Sequence, residues 1–246
     1  MRVLALDTTT QAGSAALVAE GRIVDVRDGD GARTHALRLP AEILDLADAN
    51  QWPLASVDLY AVASGPGSFT GLRIGIATIQ GLAFVHGRRV VPIPALEAIA
   101  YESSRDLPAG ALVGAWMDAH RGEVYAALFE VGHAPPFSRA RLKEIEGASV
   151  STPAQILAQW HGRAGKAPDV IAGDGAALHR AAIEAGASSS IVKTHPQLAG
   201  AIALVALDRA AEALEPAAVR PFYVRRAAVE IARDRQSAAR VEDNSI

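Results

Sequence analysis

The feature that most constrains this chain is that it repeats itself. Asp7 is followed eight residues later by Ala15-Ala16-Leu17, and Asp118 is followed at the same spacing by Ala126-Ala127-Leu128. Gly21 and Gly132 keep that offset of 111 residues. Further on, one apolar stretch enters Gly65-Pro66-Gly67 and another enters Gly173-Asp174-Gly175, at an offset of 108. Two similar offsets in the same order point to a duplicated unit: strand–turn–strand, then strand–Gly-x-Gly–helix. The expectation is an α/β chain of two similar lobes, over 1–104 and 105–226, with a polar, partly disordered tail over 227–246.

Local patterns fill in the halves. Residues 3–6, 13–19 and 22–26 read as a three-stranded meander. Residues 34–50 carry Leu37, Ile43, Leu44 and Ala47 at a mostly helical spacing, with Pro40 either opening or kinking the helix. A buried strand at 59–63 runs into Ser64-Gly-Pro-Gly-Ser-Phe-Thr-Gly71 and a long apolar helix to about Val85; a strand at 90–93 and a helix at 95–103 come next. In the second half, strands at 111–117 and 123–129 flank a turn, a strand at 170–172 precedes the second Gly-x-Gly, and 198–214 has a clear helical pattern. Residues 133–149, with Pro135-Pro136 and scattered charges, read as a connection or an edge insertion.

Composition removes whole classes of function. The chain has no cysteine, which excludes a disulfide framework, a thiolate nucleophile and any Cys-ligated metal. Its 24 basic and 27 acidic side chains argue against a stand-alone nucleic-acid binder, which would carry a basic excess. Asp7 interrupts the first apolar run, and the longest later one, 74–85, is too short for a bilayer, so a soluble cytoplasmic protein is expected. No two of the seven histidines lie within twelve residues, which removes a local His-x-x-x-His metal site.

The glycine-rich segment is the most informative stretch. Gly65, Gly67 and Gly71 allow a sharp turn between strand and helix, and free N–H groups there, with Ser68, suit an anion. The same residues also suit a tight turn with no ligand. The run fails as a Walker loop, and as a dinucleotide fingerprint Pro66 removes one donor and Gly71 comes a residue late. Asp7, at the end of the first strand, is placed like the Asp of the phosphate hairpins in the actin and sugar-kinase superfamily, and by that resemblance could hold a metal–nucleotide complex. Those hairpins favour glycine two residues later, where this chain has Thr9 and, after Asp118, His120. A hydrogen-bonded turn cap is the simpler role for Asp7 and Asp118. The helix beyond the loop is unusual: Gly71, Gly75 and Gly81 each cost roughly 1 kcal/mol relative to alanine in a helix interior. Apolar residues surround it, so a second helix could approach on its outer side or it could be enclosed within one domain.

At Ser64-Gly-Pro-Gly-Ser-Phe-Thr-Gly-Leu-Arg-Ile-Gly75 the chain closely resembles the TsaB (YeaZ) family. Leu4-Ala-Leu-Asp-Thr-Thr9, His35 to Pro40, Met117-Asp-Ala-His-Arg-Gly-Glu-Val-Tyr125, Gly173-Asp-Gly175 and Pro221-Phe-Tyr-Val-Arg225 extend the resemblance over almost the whole chain. The family usually has arginine where this chain has His120. The resemblance implies the duplicated fold of actin, the heat-shock ATPases and the sugar kinases (ASKHA), with two lobes each built on a mixed sheet flanked by helices. It also implies a non-catalytic accessory subunit without cofactor or metal, which binds TsaD to form threonylcarbamoyladenosine on tRNA. In TsaD a His-x-x-x-His motif holds the metal; here the comparable region reads Pro94-Ala-Leu-Glu-Ala-Ile-Ala100.

At the level of residues, the resemblance implies a helix interface made by His35, Leu39, Ile43, Leu46, Gly71, Leu72, Gly75, Ile76, Ile79 and Leu82, facing TsaD or a second copy of this chain. Gly75→Leu is then expected to block helix approach while leaving the monomer folded. Asp7, Gly65, Gly67 and Ser68 would be a remnant of an anion or nucleotide site, and no residue is expected to be catalytic. The TsaE ATPase is expected to engage the assembled pair, with tRNA contacted mainly by the complex. The rival readings are an autonomous small-molecule kinase using Asp7 and the Gly65 loop, or a metallopeptidase.

Overall fold

The computed structural model describes residues 1–195 and 197–225, so the tail expected over 227–246 lies outside the described residues. In the first half, β1 (Arg2–Asp7), β2 (Ser14–Ala19) and β3 (Arg22–Asp28) form the meander. The first helix, α1 (His35–Ala49), keeps Pro40 inside it. Then come β4 (Leu59–Gly65), α2 (Phe69–Val85), β5 (Val90–Pro94) and α3 (Ala95–Ser103). The second half contributes β6 (Leu112–Asp118), β7 (Val124–Val131), β8 (Leu142–Ser151), α4 (Pro153–Ala164) and β9 (Val170–Ala172). It ends with α5 (Asp174–Leu178), α6 (Arg180–Gly186), β10 (Ile191–Lys193) and α7 (Ala199–Asp208).

The strands make two five-stranded sheets, ordered β3-β2-β1-β4-β5 and β8-β7-β6-β9-β10. In each, the first strand pairs antiparallel with the second and parallel with the fourth, so β6 repeats β1 and β9 repeats β4. This is the duplicated ASKHA topology that the sequence repeat foreshadows. The segment read as a connection or edge insertion holds most of the ten-residue edge strand β8, which runs on to Ser151, and the helix expected over 198–214 is regular only as far as Asp208.

The two halves share a core. Helix α3 lies against β6, β7 and β9 of the second sheet, while α7, from the second half, lies against β1, β2 and β4 of the first. Small residues such as Ala98, Ala100, Ala199 and Ala203 let these helices sit close to the sheets, and all are fully buried. A separate core under α1 and α2 joins Leu4, Leu6, Leu17, Tyr60 and Val62 to the inward faces of those helices. No helix among the described residues is long and apolar enough to cross a membrane.

Candidate functional site: the glycine loop, the α1–α2 face and the C-terminal strap

The turn between β4 and α2 is where the ends of several segments meet. Ser68 caps α2, its hydroxyl accepting from the Gly71 amide at 3.2 Å. Gly65 and Gly67 have φ of +115° and +153°, which side chains disfavour, and both are crowded by the chain itself. A Cβ at Gly67 would lie 2.6 Å from the Thr9 Cβ, and one at Gly65 would lie 2.5 Å from the Phe222 carbonyl oxygen. The Ser68 amide donates to the Thr9 carbonyl (2.8 Å), and the Phe222 amide donates to the Ser64 carbonyl (2.7 Å). The glycines therefore admit Thr9 from the β1 tip and residues 221–225 from the C-terminal side. As an anion cradle the loop has its close-approach positions filled.

Asp7 and Asp118 cap their turns in the same way. Asp7 Oδ1 accepts from the Thr9 amide (2.9 Å) and the Thr9 hydroxyl (2.6 Å); Asp118 Oδ1 accepts from the His120 amide (2.8 Å). Asp7 is buried, and its Oδ2 has no partner among the described residues. Burial pushes its carboxyl above the ordinary range and the nearby Asp174 adds to this, while the Thr9 hydrogen bonds and His35 oppose it. Among the described residues no three His, Asp or Glu side chains come together to hold a metal.

The structure turns most of the expected interface residues inward. Leu39, Ile43 and Leu46 of α1 and Ile76 and Ile79 of α2 lie in the core beneath these helices, Leu72 is fully buried, and Leu82 is half-buried. His35 is buried too: its Nε2–H donates to the Thr10 carbonyl at 2.9 Å, and Nδ1 accepts from Arg38 at 2.9 Å. Arg38 is itself buried, donating to the carbonyls of Gln11, Ala12 and Arg33 and pairing with Glu42. Gly71 and Gly75 face Thr8, where a Cβ would overlap the Thr8 carbonyl and hydroxyl respectively. The expectation that Gly75→Leu leaves the monomer folded is corrected accordingly: a side chain at Gly75 collides with Thr8 of this chain. Gly81, with nothing within 4 Å among the described residues, is the outward glycine.

A different set of residues faces solvent. On α1 these are Leu37 (71% exposed) and Leu44 (51%); on α2 they are Phe84 (79%) and Val85 (75%), with Ala77 and Gly81 between Arg73 and Phe84. Each helix thus has an inward stripe at i, i+4, i+7 and a second, outward one. At its N-terminal end the α2 face is extended by the strap. Gln80 donates to the carbonyls of Pro216 and Val219, and the Tyr223 ring stacks on Phe69 with centroids 5.1 Å apart. Arg73 lies 3.9 Å from the Phe69 centroid and donates to the Tyr223 hydroxyl at 3.1 Å. Beyond Tyr223 the strap crosses to the second half, where Arg225 donates to the Ala119 carbonyl and pairs with Glu123.

Comparison with known proteins places this architecture. A family model described as TsaD, tRNA N6-adenosine threonylcarbamoyltransferase, matches residues 29–233. A crystal structure titled as an uncharacterized protein with similarity to peptidase YEAZ from Pseudomonas aeruginosa is 30% identical, with a TM-score of 0.73, covering 91% of this chain and 99% of that one. The tRNA threonylcarbamoyladenosine biosynthesis protein TsaB of Haemophilus influenzae is 38% identical over 125 residues, 51% of this chain and 52% of that protein. That of Escherichia coli is 35% identical over 130 residues, 53% of this chain and 55% of that protein. The chain belongs to the TsaB (YeaZ) family. It spans about half the length of the curated relatives it matches.

Within this TsaB-family chain, two features escape a reading of the sequence. Helical periodicity marks both apolar stripes of α2 without saying which one the sheet covers. The strap is visible only as the segment Pro221-Phe-Tyr-Val-Arg225, and nothing in its composition tells that Tyr223 lies on Phe69. For Arg38 the signal is its position three residues after His35 and four before Glu42, which puts all three on one side of α1.

Proposed function

We propose that the chain is a non-catalytic scaffold subunit that binds TsaD and supports transfer of the threonylcarbamoyl group from threonylcarbamoyl-adenylate to N6 of the adenosine next to the tRNA anticodon. The observation that carries this reading is the outward apolar face of α1 and α2, with Leu37, Leu44, Phe84 and Val85 exposed together with small Ala77 and Gly81. Burying a side chain of this size contributes about 1.5–3 kcal/mol, and small residues let a helix of the partner come close. TsaD, or a second copy of this chain, covers that face. TsaE engages the assembled pair in the cytoplasm, and tRNA is contacted mainly by the complex.

Family membership supports the reading, as do the filled glycine loop and the two carboxylates engaged as turn caps. The rival autonomous kinase needs open backbone at Gly65 and Gly67, where Phe222 and Thr9 already lie. The test is threonylcarbamoyl transfer to tRNA by a bacterial TsaD and TsaE set supplied with threonylcarbamoyl-adenylate. Activity that requires this chain, with none from the chain alone, supports the scaffold role. Turnover by the isolated chain contradicts it.

A further inference from the structure

The strap and the turn between β6 and β7 gather arginines without carboxylates to match them. Arg73, Arg121 and Arg220 are exposed, and none has an ion-pair partner among the described residues. Arg73 donates to the Tyr223 hydroxyl, and Arg220 donates to the carbonyls of Ala217 and Val219. Arg121 stands on the turn at φ +56°, next to His120 at φ +60°. Side chains disfavour this left-handed region, and glycine or asparagine is usual in such turns. The turn's own carboxylates are engaged: Asp118 lies 3.0 Å from His120 Nδ1, and Glu123 pairs with Arg225. On a chain whose net charge is −3, this is a local reversal of sign.

These groups form one continuous strip. Arg225 donates to the Ala119 carbonyl and so fixes the end of the strap on the β6–β7 turn that carries Arg121. Two residues back, Tyr223 stacks on Phe69, which is 38% exposed, and Arg73 touches both rings. Arg220 is five residues from Arg225, at most ~17 Å of chain. The strip joins positive charge to a partly exposed aromatic pair. That combination holds an RNA strand, with phosphates on the arginines and an unpaired base against a ring.

We propose that the strip of Arg73, Arg121 and Arg220 around the Phe69–Tyr223 pair is the surface through which this chain touches tRNA in the assembled complex. The inference rests on the scaffold reading given above. Three phosphate contacts give a slope of log K on log salt of only roughly −2 to −3, too little to hold RNA unaided. The strip therefore supplements binding that the partner supplies, in keeping with the acidic balance of the whole chain.

Fluorescence anisotropy of labelled tRNA, titrated with the complex of TsaD and this chain at about 50 to 200 mM salt, tests the assignment. The parent is compared with Arg121→Gln/Arg220→Gln, whose exposed side chains leave the fold intact, so the variant should melt with the parent. Losing two phosphate contacts should make the slope shallower by about 1.5 and weaken tRNA binding at least about tenfold near 0.1 M salt. Affinity for TsaD, read by calorimetry, should not change. Unchanged tRNA affinity and slope in a complex that still assembles overturns this inference and leaves the scaffold reading standing. Weaker binding to TsaD with an unchanged salt slope overturns it as well, because the arginines then meet an acidic protein surface. A parent chain that fails to assemble with TsaD overturns the scaffold reading itself, and this inference with it.

Discussion

The two glycines that the sequence leaves indistinguishable in α2 should respond oppositely to the same change. Gly75 faces Thr8, a buried β-branched residue at the end of β1: a Cβ there would overlap the Thr8 hydroxyl and stand 2.9 Å from its Cγ2 and 3.0 Å from its Cβ. Thr8 is not the flexible end of a long side chain, so the helix or the strand tip must move, and overpacking of this kind costs about 1–3 kcal/mol. The gain in helix propensity from glycine to alanine, about 1 kcal/mol, offsets only part of that. At Gly81 the added methyl meets nothing within 4 Å, and the propensity gain stands alone. Gly75→Ala should therefore lose up to about 2 kcal/mol, and Gly81→Ala should gain up to about 1 kcal/mol. For a chain of this size each kcal/mol moves Tm by roughly 2–4 °C. Thermal unfolding of the two variants beside the parent measures both. A Gly75→Ala protein as stable as the parent, or a Gly81→Ala protein clearly less stable, would mean that α2 presents its other face to the sheet.

Other consequences are as direct. Arg38→Met should destabilise by roughly 3 kcal/mol, because it strands buried carbonyls that each cost about 1–3 kcal/mol unpaired, and chemical denaturation reads the loss. Burial holds the His35 and His195 imidazoles below their ordinary range, so the unfolded chain takes up protons at pH values where the folded chain does not. Stability should be full above about pH 6.5 and fall as pH drops below it, and His35→Gln, which takes no proton, should lose less between about pH 7 and pH 5 in thermal melts. Asp7 behaves in the opposite sense: its raised carboxyl favours folding below the ordinary carboxylate range and loses that contribution as pH rises through its folded value. Asp7→Asn keeps the acceptor used by Thr9 and removes the buried charge, so it should raise Tm at about pH 8 and change it little at about pH 4.

Much of the fold is legible in the sequence because the repeat fixes topology. Once Asp7 and Asp118 are aligned, the order of strands in one sheet predicts the other, and the two aspartates prove to cap their turns by the same i to i+2 bond. Strand β8 is hidden because Lys143, Glu144 and Glu146 interrupt its alternation, as edge strands tolerate. Helix α4 is absent from the expectations although Pro153 opens it and Gly165, at φ +71°, closes it. On α1 and α2, most of the apolar residues singled out from the sequence face the interior of this chain. A helix that is apolar all round carries no sequence mark for the sheet-facing stripe, which the packing of Gly71 and Gly75 on Thr8 reveals.

On the proposed function, the outward face of α1 and α2 is what this chain offers to TsaD. Calorimetric titration of TsaD with the parent chain and with Leu44→Asp/Phe84→Asp tests it most directly, since both side chains are exposed and the variant should melt with the parent. If each buried side chain contributes at least about 1.5 kcal/mol, the double variant binds about a hundredfold more weakly or not at all. Unchanged affinity in a folded double variant would contradict the account and place the contact with TsaD elsewhere on the chain.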